Sequence, residues 1–351
     1  MDFSLLYFAN REVTDTAQEY ELLVKSAEFA DSHDFTAVWL PERHFHSFGG
    51  AYPNPALAAA VLAARTQRIR LRAGSVVVPL HDPLSVVEDW SFVDNISEGR
   101  VDIALASGWH PNDFVLAPDR YAVRREFTFG AVNEITDLWA GKKIWRRNGK
   151  GEEVETTTFP RPVQAELGLW LTCSRSPETF DEAGARGLNV LTALMFQGTD
   201  KLAENIERYR TVREQHGHDP AAGKVTLMLH TFVSENDNAV RAAVRGPFTE
   251  YLLSSSDLWK AQYLDFQGSD PKTTAKWAFE RYFHRAALFG SVDRCTSFAR
   301  ELHAAGVDEI ASLIDFGVEH SAVLTMLPHL DEVRRKLNGS GLQRGRVTSA
   351  S

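Results

Sequence analysis

Eight short β-rich runs recur along the chain, each set off from the next by a helix-like or loop stretch. They fall at 3–8, 36–41, 69–78, 100–107, 167–172, 188–194, 225–233 and 309–316. Apolar residues at helical spacing fill about 17–32, 54–66, 84–97 and 124–140 between them. Strands separated by helices pair in parallel, because a parallel neighbour can be reached only through a long crossover. Eight such units predict an α/β fold, the closed (β/α)8 TIM barrel, which takes about 250 residues. The chain has 351, so the surplus is expected in insertions at 44–53, 107–123, 141–166 and 234–288. No Gly/Ser-rich linker and no solenoid-length repeat breaks the pattern. Residues 1–338 therefore read as one barrel domain, and the composition of 339–351 predicts a disordered tail.

Charge and cysteine content narrow the partners. Lys and Arg total 38 against 47 Asp and Glu, a net charge of −9, which disfavours nucleic acid and anionic membranes as general partners. The first apolar run meets Arg11 with no basic stretch before it, and reads as a strand, not a signal peptide. No apolar run approaches the roughly 20 residues that span a bilayer. Cys173 and Cys295 are too few for a disulfide framework and suit a reducing compartment. A cytoplasmic enzyme is expected.

Chemistry in such barrels sits in the turns after the strands. After the fifth, "TCSRSPETF" crowds Ser174, Arg175, Ser176 and Thr179 around a helix start, with Pro177 at its first position. Free N–H groups and the helix dipole favour an anion there, and the Arg175 fork suits phosphate. The expectation is a phosphate dianion on Arg175, Ser176 and Thr179; the competing reading is a capping box closed by Glu178 or Thr179. After the second strand, "WLPERHFHSFGG" offers Glu42, Arg43, His44 and His46 for acid–base work or an anionic intermediate. His44 and His46, with Asp315 and His230, also raise a metal reading; Arg43 beside them is a poor neighbour for a dication, and no metal is expected.

After the third strand, Gly74 and Ser75 interrupt a β-branched run, marking either close approach to a ligand or relief of crowding. After the fourth, Ser107, Trp109 and His110 stand ahead of Arg124 and Arg125, where they could meet a flat ring or a phosphate. The insertion at 234–288 carries Phe248, Tyr251, Leu252, Trp259, Tyr263, Phe266 and Trp277, enough to cap a pocket or to pack a helical hairpin.

In this order, "WLPERHF", the stretch from "PNPALAAAVLAARTQRIRLRAGSVVVPLHDP" to "DIALASGWHPNDF", and "TCSRSPETF" resemble the bacterial luciferase-like flavin-dependent monooxygenases. "VTLMLHTF" and "DEIASLIDFG" point to the subfamily associated with nonribosomal peptide and polyketide natural-product biosynthesis. The resemblance spans residues 2–335. It implies a barrel oxygenase using reduced FMN and O2, a separate flavin reductase, a homodimer, and a small-molecule or carrier-tethered substrate. It implies Ser176, Thr179 and Arg175 at the flavin phosphate, and Gly74-Ser75 at a non-prolyl cis peptide beneath the isoalloxazine ring. Arg43 and His44 would form the catalytic turn, with Trp109, His110 and His230 along the substrate side. Two positions depart from luciferase. Arg43 replaces the first of two adjacent histidines, the catalytic one, and Ser107 stands where a phosphate-binding Arg is expected, leaving Arg175 to supply that charge. Deazaflavin-dependent hydride transfer and a non-catalytic flavin-binding accessory role are the rival functions.

Overall fold

A computed structural model describes residues 1–8, 16–195, 197–260 and 271–339 of the chain. Its strands are β1 (Asp2–Leu6), β2 (Ala37–Leu40), β3 (Arg70–Val77), β4 (Val101–Ala106), β5 (Ile144–Arg147), β6 (Glu153–Thr156), β7 (Gly168–Thr172), β8 (Asn189–Ala193), β9 (Val225–Ser234), β10 (Leu288–Ser291) and β11 (Glu309–Leu313). The helices are α1 (Thr16–Ser32), α2 (Pro55–Ala63), α3 (Pro83–Ile96), α4 (Arg124–Trp139), α5 (Pro177–Ala185), α6 (Thr199–Gln215), α7 (Asp237–Lys260), α8 (Pro271–Arg285), α9 (Val292–Ala304) and α10 (His320–Gly339). The eight predicted runs supply β1, β2, β3, β4, β7, β8, β9 and β11. Each pairs in parallel with the next, and β11 pairs back to β1, closing the barrel.

Local chemistry starts the helices where the sequence implies. The Asn54 side chain accepts from the Ala56 and Leu57 N–H groups at 2.8 and 3.3 Å, with Pro55 at the first helical position of α2. Asp82 caps α3 in the same way, ahead of Pro83. Three strands, β5, β6 and β10, lie outside the eight predicted runs. The expected insertion at 141–166 contains an antiparallel hairpin, β5 on β6. The insertion at 234–288 holds α7 and α8 packed on one another and ends in β10, which pairs with the upper half of β9 from Leu288↔Thr231 to Ser291↔Ser234. Trp259, Tyr263, Phe266 and the tail from residue 340 lie outside the described side chains. Among the described residues, no helix is long and apolar enough to cross a membrane.

The barrel interior carries a layer of charge between two indoles. Arg72 on β3 is 2% exposed; its Nε donates to Asp102 at 2.8 Å and its Nη1 to Glu309 at 2.8 and 3.0 Å. Its guanidinium lies 4.9 Å from the Trp39 ring centroid and 4.6 Å from that of Trp170. The Trp39 indole N–H reaches Ser4 and Glu309, each at 3.0 Å. Burial works to lower the Arg72 pKa, but the facing carboxylates outweigh it and raise it. This layer fixes Trp39, and Trp39 explains Gly74: a Cβ at that position would meet Trp39 Cβ at 3.0 Å and Cε3 at 3.3 Å. The glycine relieves crowding, as one of the two readings held.

Candidate active site

A cavity of ≈ 350 Å³ opens at the C-terminal ends of the strands, within the range of about 300–1,000 Å³ usual for small-ligand sites. Gly74 and Ser75 line it, joined by a cis peptide bond, as the resemblance implies. Ser75 and Thr172 share a short hydroxyl hydrogen bond across β3 and β7. Ser107, Gly108 and Trp109 line the cavity from the turn after β4, and Cys173 and Ser174 from the turn after β7. His230, Tyr251 and Tyr282 close the opposite side. Glu42 is the one formally charged side chain among the described lining residues.

Ser174 is the last residue of this turn on the cavity wall; Arg175, Ser176 and Thr179, which follow it into α5, are not among the lining residues. Ser176 has the extended backbone of an N-cap, yet its side chain makes no capping bond to the helix. Its hydroxyl turns instead to the Glu178 carboxylate, whose pKa this contact lowers. Of the capping alternatives, then, Glu178 engages Ser176 while the serine leaves the first turn uncapped by its own oxygen. Thr179 Oγ1 accepts from Arg125 Nη2 at 3.4 Å, so α4 delivers a guanidinium to this corner. Arg124 does not arrive; it donates to the Tyr121 carbonyl and stacks on that ring. Arg175 lies exposed on the same turn.

The turn after β2 is arranged differently from expectation. Neither Arg43 nor His44 lines the cavity; Glu42 does. Its Oε2 accepts from the Val77 N–H at 2.7 Å, and its Oε1 meets His44 Nε2 at 2.8 Å and His81 Nε2 at 2.6 Å. Burial works to raise the Glu42 pKa, but the two imidazoles and the amide prevail and lower it. At His81 burial works to lower the pKa, and the Glu42 contact overrides it. His81, separated from Glu42 by 39 residues, carries no sequence signal of its role. Arg43 is buried, paired with Asp113 through Nη1, and lies 5.2 Å from the Trp109 ring centroid. Its Nε and Nη2, and Asp113 Oδ1, are buried without partners. Burial lowers the Arg43 pKa and raises that of Asp113, each against the pull of the other.

Two further expectations resolve in place. His110 is not on the cavity wall: its Nδ1 accepts from the Asn112 N–H at 3.3 Å, capping the short turn Pro111–Leu116. Burial, then Arg43 and His46, lower its pKa. The residues weighed for a metal do not converge. His46 Nδ1 accepts from the Phe48 amide, and the Asp315 carboxylate from the Phe8 amide. Glu42, His44 and His81 do bring three ligand atoms within 4.8 Å of one another. However, their 2.6 and 2.8 Å contacts are hydrogen-bond lengths, whereas ligands about 2.0–2.1 Å from one tetrahedral zinc stand further apart.

The cavity over Gly74-Ser75 is lined mostly by apolar side chains, with hydroxyls from Ser75, Ser107, Thr172 and Ser174. Residues 1–309 match the family of luciferase-like monooxygenases, and the chain belongs to that family. The oxygenase component of the flavin-dependent trigonelline monooxygenase of Acinetobacter baylyi is 28% identical over 259 residues, covering 72% of this chain and 71% of that one. The oxygenating constituent of 3,6-diketocamphane monooxygenase from Pseudomonas putida, solved with FMN, superposes with a TM-score of 0.79 at 19% identity, covering 96% and 98% of the two chains. An F420-dependent secondary alcohol dehydrogenase superposes with a TM-score of 0.72 at 13% identity, covering 96% and 98%.

Proposed function

We propose that this flavin-dependent monooxygenase is the oxygenase component of a two-component system. It would receive reduced FMN from a separate reductase and place one atom of O2 into a small organic or carrier-bound substrate during natural-product assembly. The observation that supports the reading is the cavity itself: Gly74-Ser75 and Ser174 line it, and Ser174 lies on the turn that leads to Ser176, the N-cap of α5. Ser176, Thr179, Arg175 and Arg125 would hold the phosphate, and Gly74, Ser75 and Ser107 would lie against the ring. When bound, reduced FMN supplies the two electrons that activate O2.

The chain's own residues supply order. Glu42 fixes two imidazoles through one carboxylate oxygen, so His44 and His81 are held beside the cavity while neither lines it. Arg43 acts on the wall: paired with Asp113, it holds Trp109 by its face. The apolar lining keeps water from the reacting oxygen. Both cysteines are buried and unpaired, which supports a cytoplasmic setting. A homodimer is supported by an apolar face on the neighbouring helices α2 and α3, where Leu57, Val61, Phe92 and Ile96 are exposed.

Anaerobic titration of the purified protein with reduced FMN and with a reduced deazaflavin tests the cofactor. The reading expects tighter binding of FMNH2 and label from ¹⁸O2 in the oxidised product; preference for the deazaflavin, or flavin binding without oxygen transfer, would overturn it.

A further inference from the structure

The cavity has two chemically distinct sides. Against β3, β4 and β7 it presents small hydroxyls, Ser75, Ser107, Thr172 and Ser174; against β9 and the α7–α8 insertion it presents an aromatic box around one imidazole. His230, 6% exposed, stands edge-on to Phe248, Tyr251, Tyr282 and Phe316, with centroids at 4.9, 4.8, 5.7 and 5.7 Å and interplanar angles from 78° to 86°. Its Nε2 is sealed from solvent and has no hydrogen-bond partner. Aromatic faces are electron-rich, so a nitrogen enclosed by them is favoured as N–H, not as a lone pair. With the hydrogen on Nε2, the tautomer these surroundings favour, Nδ1 on the ring that lines the cavity keeps its lone pair. Nδ1 makes no hydrogen bond among the described residues.

Resting on the oxygenase reading, we infer that His230 is the substrate's polar contact, a specificity-determining acceptor, and that the substrate class is an uncharged aromatic ring bearing one O–H or N–H donor. Tyr251 and Tyr282 would bracket the ring, and Nδ1 would accept the donor. Burial pushes the His230 pKa down to about 3, so the imidazole stays neutral at working pH and offers no charge to an anion. Glu42, the one formally charged side chain among the described lining residues, points the same way, since it repels carboxylates.

The test uses 2-naphthol, 2-methoxynaphthalene and 2-naphthoate as probes, titrated into the full-length protein and into His230→Phe and His230→Gln, with FMN binding measured in the same samples. Wild type should bind the naphthol at least about tenfold tighter than its methyl ether, because a polar site rejects an analogue that leaves it unpaired, and should bind the naphthoate least. His230→Phe, apolar within an aromatic box, should fold and lose the preference; His230→Gln, which keeps an acceptor, should retain part of it. Equal affinity for naphthol and ether in wild type, an unchanged preference in His230→Phe, or no binding of the naphthol would each overturn the inference. Failure of FMN to bind while the preference persists would instead overturn the cofactor assignment and leave the aromatic box standing.

Discussion

Replacing Arg72 by Met isolates the energetics of the charged layer beneath the active site. The side chain is 2% exposed and meets Asp102 and Glu309 between two indoles. Breaking a buried pair from one side costs about 3–5 kcal/mol, because the abandoned charge stays buried. The two carboxylates are not abandoned equally. Asp102 keeps Arg70, which donates from Nε and Nη2, each at 2.6 Å. Glu309 keeps only the neutral donors Ser4 and Trp39, at 2.6 and 3.0 Å. The cost of Arg72→Met therefore resides at Glu309, and removing that charge should restore about 1–3 kcal/mol. Glu309→Gln is expected to destabilise the wild type, where it deprives Arg72 of a partner, and to stabilise Arg72→Met. Asp102→Asn should rescue nothing. At about 2.1 cal/mol/K per residue over 351 residues, a loss of 3–5 kcal/mol lowers Tm by roughly 4–7 °C. Differential scanning calorimetry of the four-member cycle reads both sign and size. If Glu309→Gln destabilises both backgrounds alike, the layer is not coupled as described and the reasoning fails.

Other expectations follow from the site. Arg125→Ala should weaken FMN binding roughly 10–100-fold if its charge-assisted contact is worth about 1.5–3 kcal/mol, whereas Arg124→Ala, tied to Tyr121, should leave FMN titrations unchanged. Glu42→Gln should lose about 1.5–3 kcal/mol of stability near pH 6. The sign follows from His81: its pKa is raised above the ordinary 6.5, so its contribution is complete below 6.5 and vanishes as pH climbs through the raised value. Denaturant melts from pH 6 to pH 9 should show the deficit shrinking; a constant deficit would remove His81 from the account. The proposed homodimer predicts that the wild type should sediment as a dimer and Phe92→Lys, on the apolar α2–α3 face, as a monomer.

Much of the barrel is legible because its signal is local. A buried parallel strand reads as an apolar run and its helix as a capped amphipathic segment, as Asn54-Pro55 and Asp82-Pro83 illustrate. β10 escapes because four residues, "LFGS", carry too little pattern. The hairpin β5–β6 escapes for a similar reason, since its alternating half-exposed face resembles a loop. The Ser176-Pro177 helix start is readable from local chemistry alone; that Ser174, and not Ser176 or Thr179, lines the cavity is not. Which member of the Glu42-Arg43-His44 turn faces the cavity is not, because His81 and Asp113, brought in by other elements, decide it. His110 misleads for the converse reason: a cap two residues away claims its nitrogen.

The ladder between β9 and β10 has an evolutionary corollary. The chain departs at Ser234 and comes back beside it at Ser291, so everything inserted between is a loop whose two feet are clamped a strand's width apart. Doubling the length of a loop with fixed ends costs only about 0.6 kcal/mol. Lineages can thus exchange or resize this cassette, and with it two tyrosines of the box around His230, while the eight-stranded frame and the turn before α5 stay untouched.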